Sequence, residues 1–153
     1  MRGLLGRGTL FRVTRRYQFV ASHRLHSEAL NEAENWRVYG KCNNPYGHGH
    51  NYVLRVSALG RADPDVGRAV DLPLLDGLVE REILRYLDHR NLNLDVDWFG
   101  QEVPTSENLG LAICRRLKRK WSEVFAEAWP RLEAVCIEET PRNIFEIDAR
   151  EVE

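Results

Sequence analysis

The residues with the clearest capacity for chemistry lie in Gly40–Tyr52, GKCNNPYGHGHNY. His48 and His50 flank a single glycine. On a β-strand, side chains alternate faces, so both imidazoles point the same way with their Cα atoms roughly 6.5–7 Å apart, a span that one metal ion bridges. Gly49 adds no bulk between them and leaves room for another backbone or a ligand. Asn43, Asn44, Pro45 and Gly47 read as a loop able to carry the Cys42 thiol back over the two rings. His23 closes an earlier alternating stretch. If that stretch pairs antiparallel with the one beginning at His48, three imidazoles converge. Three neutral nitrogens with a fourth place open are the ligand set of a catalytic zinc, which polarises a substrate oxygen and eases removal of nearby protons. Cys42 is then a candidate base, because cationic or imidazole neighbours draw a thiol pKa downward. His89 is placed to accept or relay that proton, and Asp88 to orient it. Each feature also has a plainer explanation. A lone histidine at a strand end caps a core face, H-x-H on a strand is a weak signal, and Asp88-His89 suits the last turn of a helix.

The elements that must position these groups follow from periodicity. Phe11, Val13, Tyr17, Phe19, Ala21 and His23 alternate with Arg12, Thr14, Arg16, Gln18 and Ser22, predicting a first strand that is apolar on one face. His26–Arg37 is polar and reads as a loop with at most a helical turn. From His48 a second strand sets His48, His50, Tyr52, Leu54, Val56 and Ala58 on one face. Gly60–Gly67 reads as a hairpin connection and Arg68–Leu72 as a short third strand. Leu75, Val79, Ile83 and Leu87 recur at helical spacing over Asp71–Asp88, with Asp71 and Asp76 near the positive end of the helix dipole. Pro104-Thr105-Ser106-Glu107-Asn108 is a helix start, with a hydroxyl at the N-cap and an acid in the first turn, and Leu109, Ile113, Leu117 and Trp121 form the buried stripe. Cys114 and Cys136 read as core thiols. Leu132–Thr140 is the last clear strand, carrying Val135, Ile137 and Glu139 on one face, and Asn143–Ile147 is a possible further edge strand. Glu138 and Glu139 are an unusual pair for an apolar strand: one is expected to meet water and the other a ligand. The order β, β, β, α, α, β predicts an α+β fold, an antiparallel four-stranded sheet with two helices on one face.

Composition excludes several classes. The 153 residues fit one domain, taken as 1–153, and carry 22 basic against 23 acidic side chains for a formal net charge of −1, so no basic field favours nucleic acid. Arg12, Arg16, Lys41 and Arg90 are candidate phosphate partners by charge alone. Three cysteines without regular spacing argue against a disulfide scaffold and fit a reducing cytoplasm. No run is long and apolar enough to span a membrane. The first sixteen residues are arginine-rich and free of acids, as in transit peptides, but the segment runs unbroken into the first strand, and Met1–Gly8 is read as a loose lead-in.

Five stretches, FVASHRL (19–25), GKCNNPYGHGHNY (40–52), LDHRNLN (87–93), PTSENL (104–109) and IEETPRN (137–143), together resemble the 6-pyruvoyltetrahydropterin synthase family in sequence and order. The resemblance implies that His23, His48 and His50 bind Zn2+ and that Cys42 is the general base acting with Asp88 and His89. It implies that Glu139 anchors the pterin ring through its guanidine-like edge, where a carboxylate accepts two parallel N–H bonds, and that Thr105 and Ser106 line the pterin pocket. The implied substrate is 7,8-dihydroneopterin triphosphate. The implied architecture is the tunnelling fold, whose subunits close barrels as trimers and stack as hexamers. Such an assembly covers sheet edges and brings catalytic groups together from more than one subunit. The five residues between Cys42 and His48 suit the pyruvoyl-forming branch better than the 6-carboxytetrahydropterin synthases of queuosine synthesis, and Cys42 argues against a relative that uses glutamate there. Tyr46 stands where asparagine is frequent. A non-catalytic pterin- or purine-binding oligomer and a metal-free structural domain are the readings of other classes.

Overall fold

The computed structural model describes residues 8–153; the expected lead-in falls almost wholly outside them. The two long alternating stretches form β1 (Leu10–His23) and β2 (His48–Arg61), antiparallel in a continuous register from Leu10 opposite Arg61 to His23 opposite His48. The final stretch forms β4 (Arg131–Thr140) and β5 (Asn143–Asp148). A two-residue strand, β3 (Arg90–Asn91), pairs parallel with β1 at Ala21 and Ser22. The sheet order is β3-β1-β2-β4-β5, so it has five strands, not the four expected.

The expected third strand at Arg68–Leu72 is absent. Its backbone is committed elsewhere. The Asp63 N–H donates to the Arg68 carbonyl at 2.9 Å, closing the turn, and Asp71 caps the next helix by accepting from the Leu74 N–H at 3.1 Å. A five-residue run whose first residue closes a turn and whose fourth caps a helix has no length left to pair.

That helix runs as α2 (Leu72–Val79), a π-helical segment at Glu80–Leu84, and a last turn, α3 (Arg85–Leu87). The Arg116 Nε donates to the Glu82 carbonyl in the π segment at 2.8 Å, and its guanidinium lies over the Tyr86 and Trp98 rings at 4.4 and 4.7 Å. The other long helix, α4 (Ser106–Val124), starts from Thr105, whose hydroxyl accepts from the Asn108 N–H. Both helices cover one sheet face. Phe19, Tyr52, Leu54, Val56, Val135 and Ile137 from the strands meet Leu75, Leu78, Ile83, Leu87, Leu109, Ile113 and Leu117 from the helices, all essentially excluded from water. Burial of each such side chain contributes about 1.5–3 kcal/mol. Cys114 is fully buried in this core, while Cys136 is buried beneath Arg55.

The segment read as a loop with a helical turn contains a helix, α1 (Glu32–Tyr39). It has almost no apolar stripe. It is held by a capping box between Asn31 and Glu34 and by Asn35, a buried amide that binds the Ser27 N–H and the carbonyls of Ser27, Leu30 and Asn31 at 2.8–3.1 Å. Among the described residues no helix is long and apolar enough to cross a membrane.

Candidate active site

The β1–β2 register sets His23 opposite His48 and Ala21 opposite His50. The three imidazoles therefore gather at one end of the sheet. Nε2 of His48 lies 3.2 Å from Nε2 of His23 and 3.2 Å from Nε2 of His50. His23 is fully buried, and its Nδ1 sits 3.0 Å from the Pro104 carbonyl oxygen. A carbonyl only accepts, so Nδ1 carries the proton and Nε2 of the neutral ring turns a lone pair toward the other two rings. Burial lowers the pKa values of His23 and His50 and favours the neutral, ligating form. Ligands 2.0–2.1 Å from a tetrahedral zinc stand about 3.3–3.4 Å from one another. The two observed separations are compatible with such an ion, and the Pro104 carbonyl stands where the outer hydrogen bond to a metal-binding histidine would be made. Pro104 acts through its backbone, which no side-chain pattern reveals.

The Cys42 loop is sewn to the segment following β1. The Leu25 N–H donates to the Cys42 carbonyl at 2.7 Å, the Asn43 amide donates to the Leu25 carbonyl at 2.8 Å, and Arg24 Nε donates to the Asn43 carbonyl at 3.2 Å. These bonds bring the sulfur within 4.8 Å of ligand nitrogens of both His23 and His48. Gly47 makes the closure possible. Its φ is +71°, and a Cβ there would stand 2.8 Å from the His23 carbonyl oxygen. The glycine predicted to admit a close approach, Gly49, has only ordinary contact, 3.7 Å to the Ala21 oxygen. Burial first, and then the Glu139 carboxylate, push the Cys42 thiol up in the metal-free chain, opposite to the expected direction. The His23 and His50 rings, held toward the neutral form by burial, offer little positive charge to offset the carboxylate.

The two glutamates at the end of β4 divide. Glu138 pairs with Arg55 at 2.8 Å on the outer sheet face. Glu139 turns inward, 12% exposed, with Oε1 at 3.4 Å from His50 Nε2 and 3.7 Å from His23 Nε2. It groups with His23 and His50. Ser106 is buried with its Oγ lacking a hydrogen-bond partner, while the Thr105 hydroxyl is used in the cap.

Asp88 and His89 lie apart from this cluster. The Asp88 carboxylate accepts from the Val20 N–H and faces His89 Nδ1, both at 3.0 Å, and the His89 N–H donates to the Val20 carbonyl at 2.6 Å. His89 has φ +60° and a side chain 79% exposed. Their cleft is lined by Gln18, Val20, Asn51, Glu138 and Thr140, and neither Cys42 nor any of the three clustered histidines reaches it. Within one chain the structure therefore does not join the thiol to the Asp88–His89 pair. His26 faces Glu28 at 3.7 Å outside the cluster, and Arg12 is occupied by Glu133.

The family model described as 6-pyruvoyl tetrahydropterin synthase matches residues 12–150. The chain belongs to that family. It is 44% identical over 134 residues to a 6-pyruvoyl tetrahydrobiopterin synthase of Poecilia reticulata, covering 86% of each chain. It is 44% identical over 114 residues to the human protein of that name, covering 74% of this chain and 79% of the relative. The solved structure of Caenorhabditis elegans 6-pyruvoyl tetrahydropterin synthase superposes with a TM-score of 0.81 at 42% identity, covering 94% of this chain and 99% of the other.

Proposed function

We propose that this member of the synthase family converts 7,8-dihydroneopterin triphosphate to 6-pyruvoyltetrahydropterin with loss of triphosphate. The carrying observation is that His48 Nε2 lies 3.2 Å from Nε2 of both His23 and His50, with the Cys42 thiol beside His23 and His48 and the Glu139 carboxylate beside His23 and His50. Relatives above 40% identity that are named 6-pyruvoyl tetrahydrobiopterin synthases support a pterin substrate. His23, His48 and His50 hold Zn2+, which when bound supplies the positive charge that acidifies protons on the carbons bearing the side-chain hydroxyls. That charge also reverses the upward push on Cys42, so the thiolate becomes available as the base. Glu139 accepts two parallel N–H bonds from the guanidine-like edge of the pterin, and Ser106 Oγ and the Thr105 region at the start of α4 line the ring pocket. The solvent-exposed His89, oriented by Asp88, serves a second subunit's Cys42 as proton relay, in a trimer or hexamer whose contacts cover the β3 and β5 edges.

The test is incubation with dihydroneopterin triphosphate and identification of products by mass. Triphosphate and 6-pyruvoyltetrahydropterin are expected. Cys42→Ala is expected to keep stoichiometric zinc and lose turnover. Release of acetaldehyde with a 6-carboxy product would transfer the chain to the carboxytetrahydropterin branch, and binding of the pterin without triphosphate release would make it a binding protein.

A further inference from the structure

Asp88 and His89 need support that they do not supply themselves. The Asp88 carboxylate rests on one backbone amide, that of Val20, and His89 carries φ +60°. That left-handed conformation is uncommon for a residue other than glycine, persists where the surroundings over-determine it, and gathers at functional sites. The His89 side chain is exposed, so packing around the imidazole does not fix it. The constraint enters through the helix that leads to the pair.

In that helix the Arg85 N–H reaches back past the π-helical segment to the Glu80 carbonyl, a wide turn that is rare in proteins and frequent at functional sites. Arg116 of α4 grips it from outside. Its Nε donates to the Glu82 carbonyl at 2.8 Å, and its guanidinium lies against the Tyr86 ring at 4.4 Å and the Trp98 ring at 4.7 Å. Tyr86 belongs to α3, the last turn before Asp88. One side chain thus holds both the wide turn and the final aromatic ahead of the pair. A guanidinium does this because it is planar, forked and weakly hydrated, so it donates and stacks together; an ammonium has no such plane. On the same helix Arg115 and Arg119 are exposed, while Arg116 is half-buried. None of its partners is a clustered histidine or Cys42.

We propose that Arg116 is a positioning residue for the Asp88–His89 pair, keeping the Asp88 carboxylate on the Val20 amide and so the exposed imidazole in one orientation. This rests on the reading above that His89 relays a proton, and adds a residue on another helix that acts only through the pair.

The experiment uses zinc-loaded protein and dihydroneopterin triphosphate. Arg116→Ala is expected to lower kcat by about tenfold to a hundredfold while KM and zinc content stay near the wild-type values. Arg116→Lys, which keeps the charge and loses the fork, is expected to fall between. A cavity of about 350 Å3 lined by Trp98, Leu111 and Arg116 opens beside the guanidinium, so free guanidinium ion at millimolar concentration is expected to restore turnover to Arg116→Ala and not to raise that of wild type. Amide hydrogen exchange gives a readout independent of turnover: the Val20 and His89 N–H groups exchange faster in Arg116→Ala, while Leu54 and Val135 in the central strands do not change. Unchanged protection at Val20 and His89 overturns the proposal. So does lost protection throughout the sheet, which marks general destabilisation. His89→Ala separates the two levels: if it is impaired and Arg116→Ala is not, only this inference fails. Wild-type turnover in His89→Ala fails the relay reading and leaves the exchange at Val20 and His89 to decide the positioning.

Discussion

Replacing Gly47 by alanine tests the link between the Cys42 loop and the ligand histidines. The residue sits at φ +71°, where an L-residue with a Cβ costs about 1–2 kcal/mol. Restricting the unfolded chain returns about 0.4–1 kcal/mol. The new Cβ also meets the His23 carbonyl oxygen at 2.8 Å, a backbone atom fixed in a fourteen-residue ladder, and overpacking of this kind adds about 1–3 kcal/mol. The sum is a loss of about 1–4.6 kcal/mol, near 3 at its centre, and that centre is equivalent to roughly 6–12 °C in Tm for a chain of this size. Because the displaced carbonyl belongs to His23, one of the three ligands of the proposed metal site, zinc affinity is expected to fall with stability. Gly49→Ala is the control: its Cβ meets only the Ala21 oxygen at 3.7 Å and its φ is not positive, so stability stays within about 1 kcal/mol of wild type. Urea unfolding of metal-free protein and zinc competition measure both quantities. A Gly47→Ala variant as stable and as tight for zinc as wild type, or a Gly49→Ala variant equally damaged, refutes the reasoning.

Asn35→Ala leaves the Ser27 N–H and three carbonyls without their shared partner and is expected to cost about 1–3 kcal/mol, with faster proteolysis at residues 26–31 as a local readout. Asp76 accepts from Arg15 at 2.6 and 3.0 Å and from the Tyr17 hydroxyl at 2.8 Å, and the Arg15 hydrogen bonds hold its carboxyl below the usual range. A depressed folded pKa gives stability that is present above the unfolded value, near pH 4, and lost as the pH falls through the folded one. The Asp76→Asn variant is therefore less stable at pH 7, by about 1 kcal/mol or less because the carboxylate is partly exposed. The gap closes as the pH falls through that depressed folded value, and denaturant titrations at pH 7 and on its acid side check it.

The half-buried strands were legible because a face pressed on a core imposes a period of two, and that period alone set His23, His48 and His50 on one side. Helix starts were legible through Asp71 and Thr105, whose side chains do locally what the pattern requires. α1 was not, because Asn35, not an apolar stripe, ties it down; its signal was the Asn31–Glu34 capping spacing. The strand at Arg90–Asn91 was too short to carry any periodicity, and the Ala69-Val70 pair imitated a strand in a segment consumed by a turn and a cap. Parity turned Glu139 inward correctly, but nothing local said that the histidines awaited it there. The separation of Cys42 from Asp88–His89 was foreseeable only as distance along the chain.

The wide turn at Glu80–Leu84 has a geometric consequence for the far end of its helix. A π turn stores one residue more than the regular spiral needs. Wound as a regular α-helix, the same residues would keep Leu75, Leu78 and Val79 in their seats, yet everything downstream would rotate by about 100°. Asp88 would then swing off the Val20 amide. The stored residue is thus a vernier: it lets one rod be keyed to the sheet at its beginning and to a strand edge at its tip, with Arg116 locking the setting.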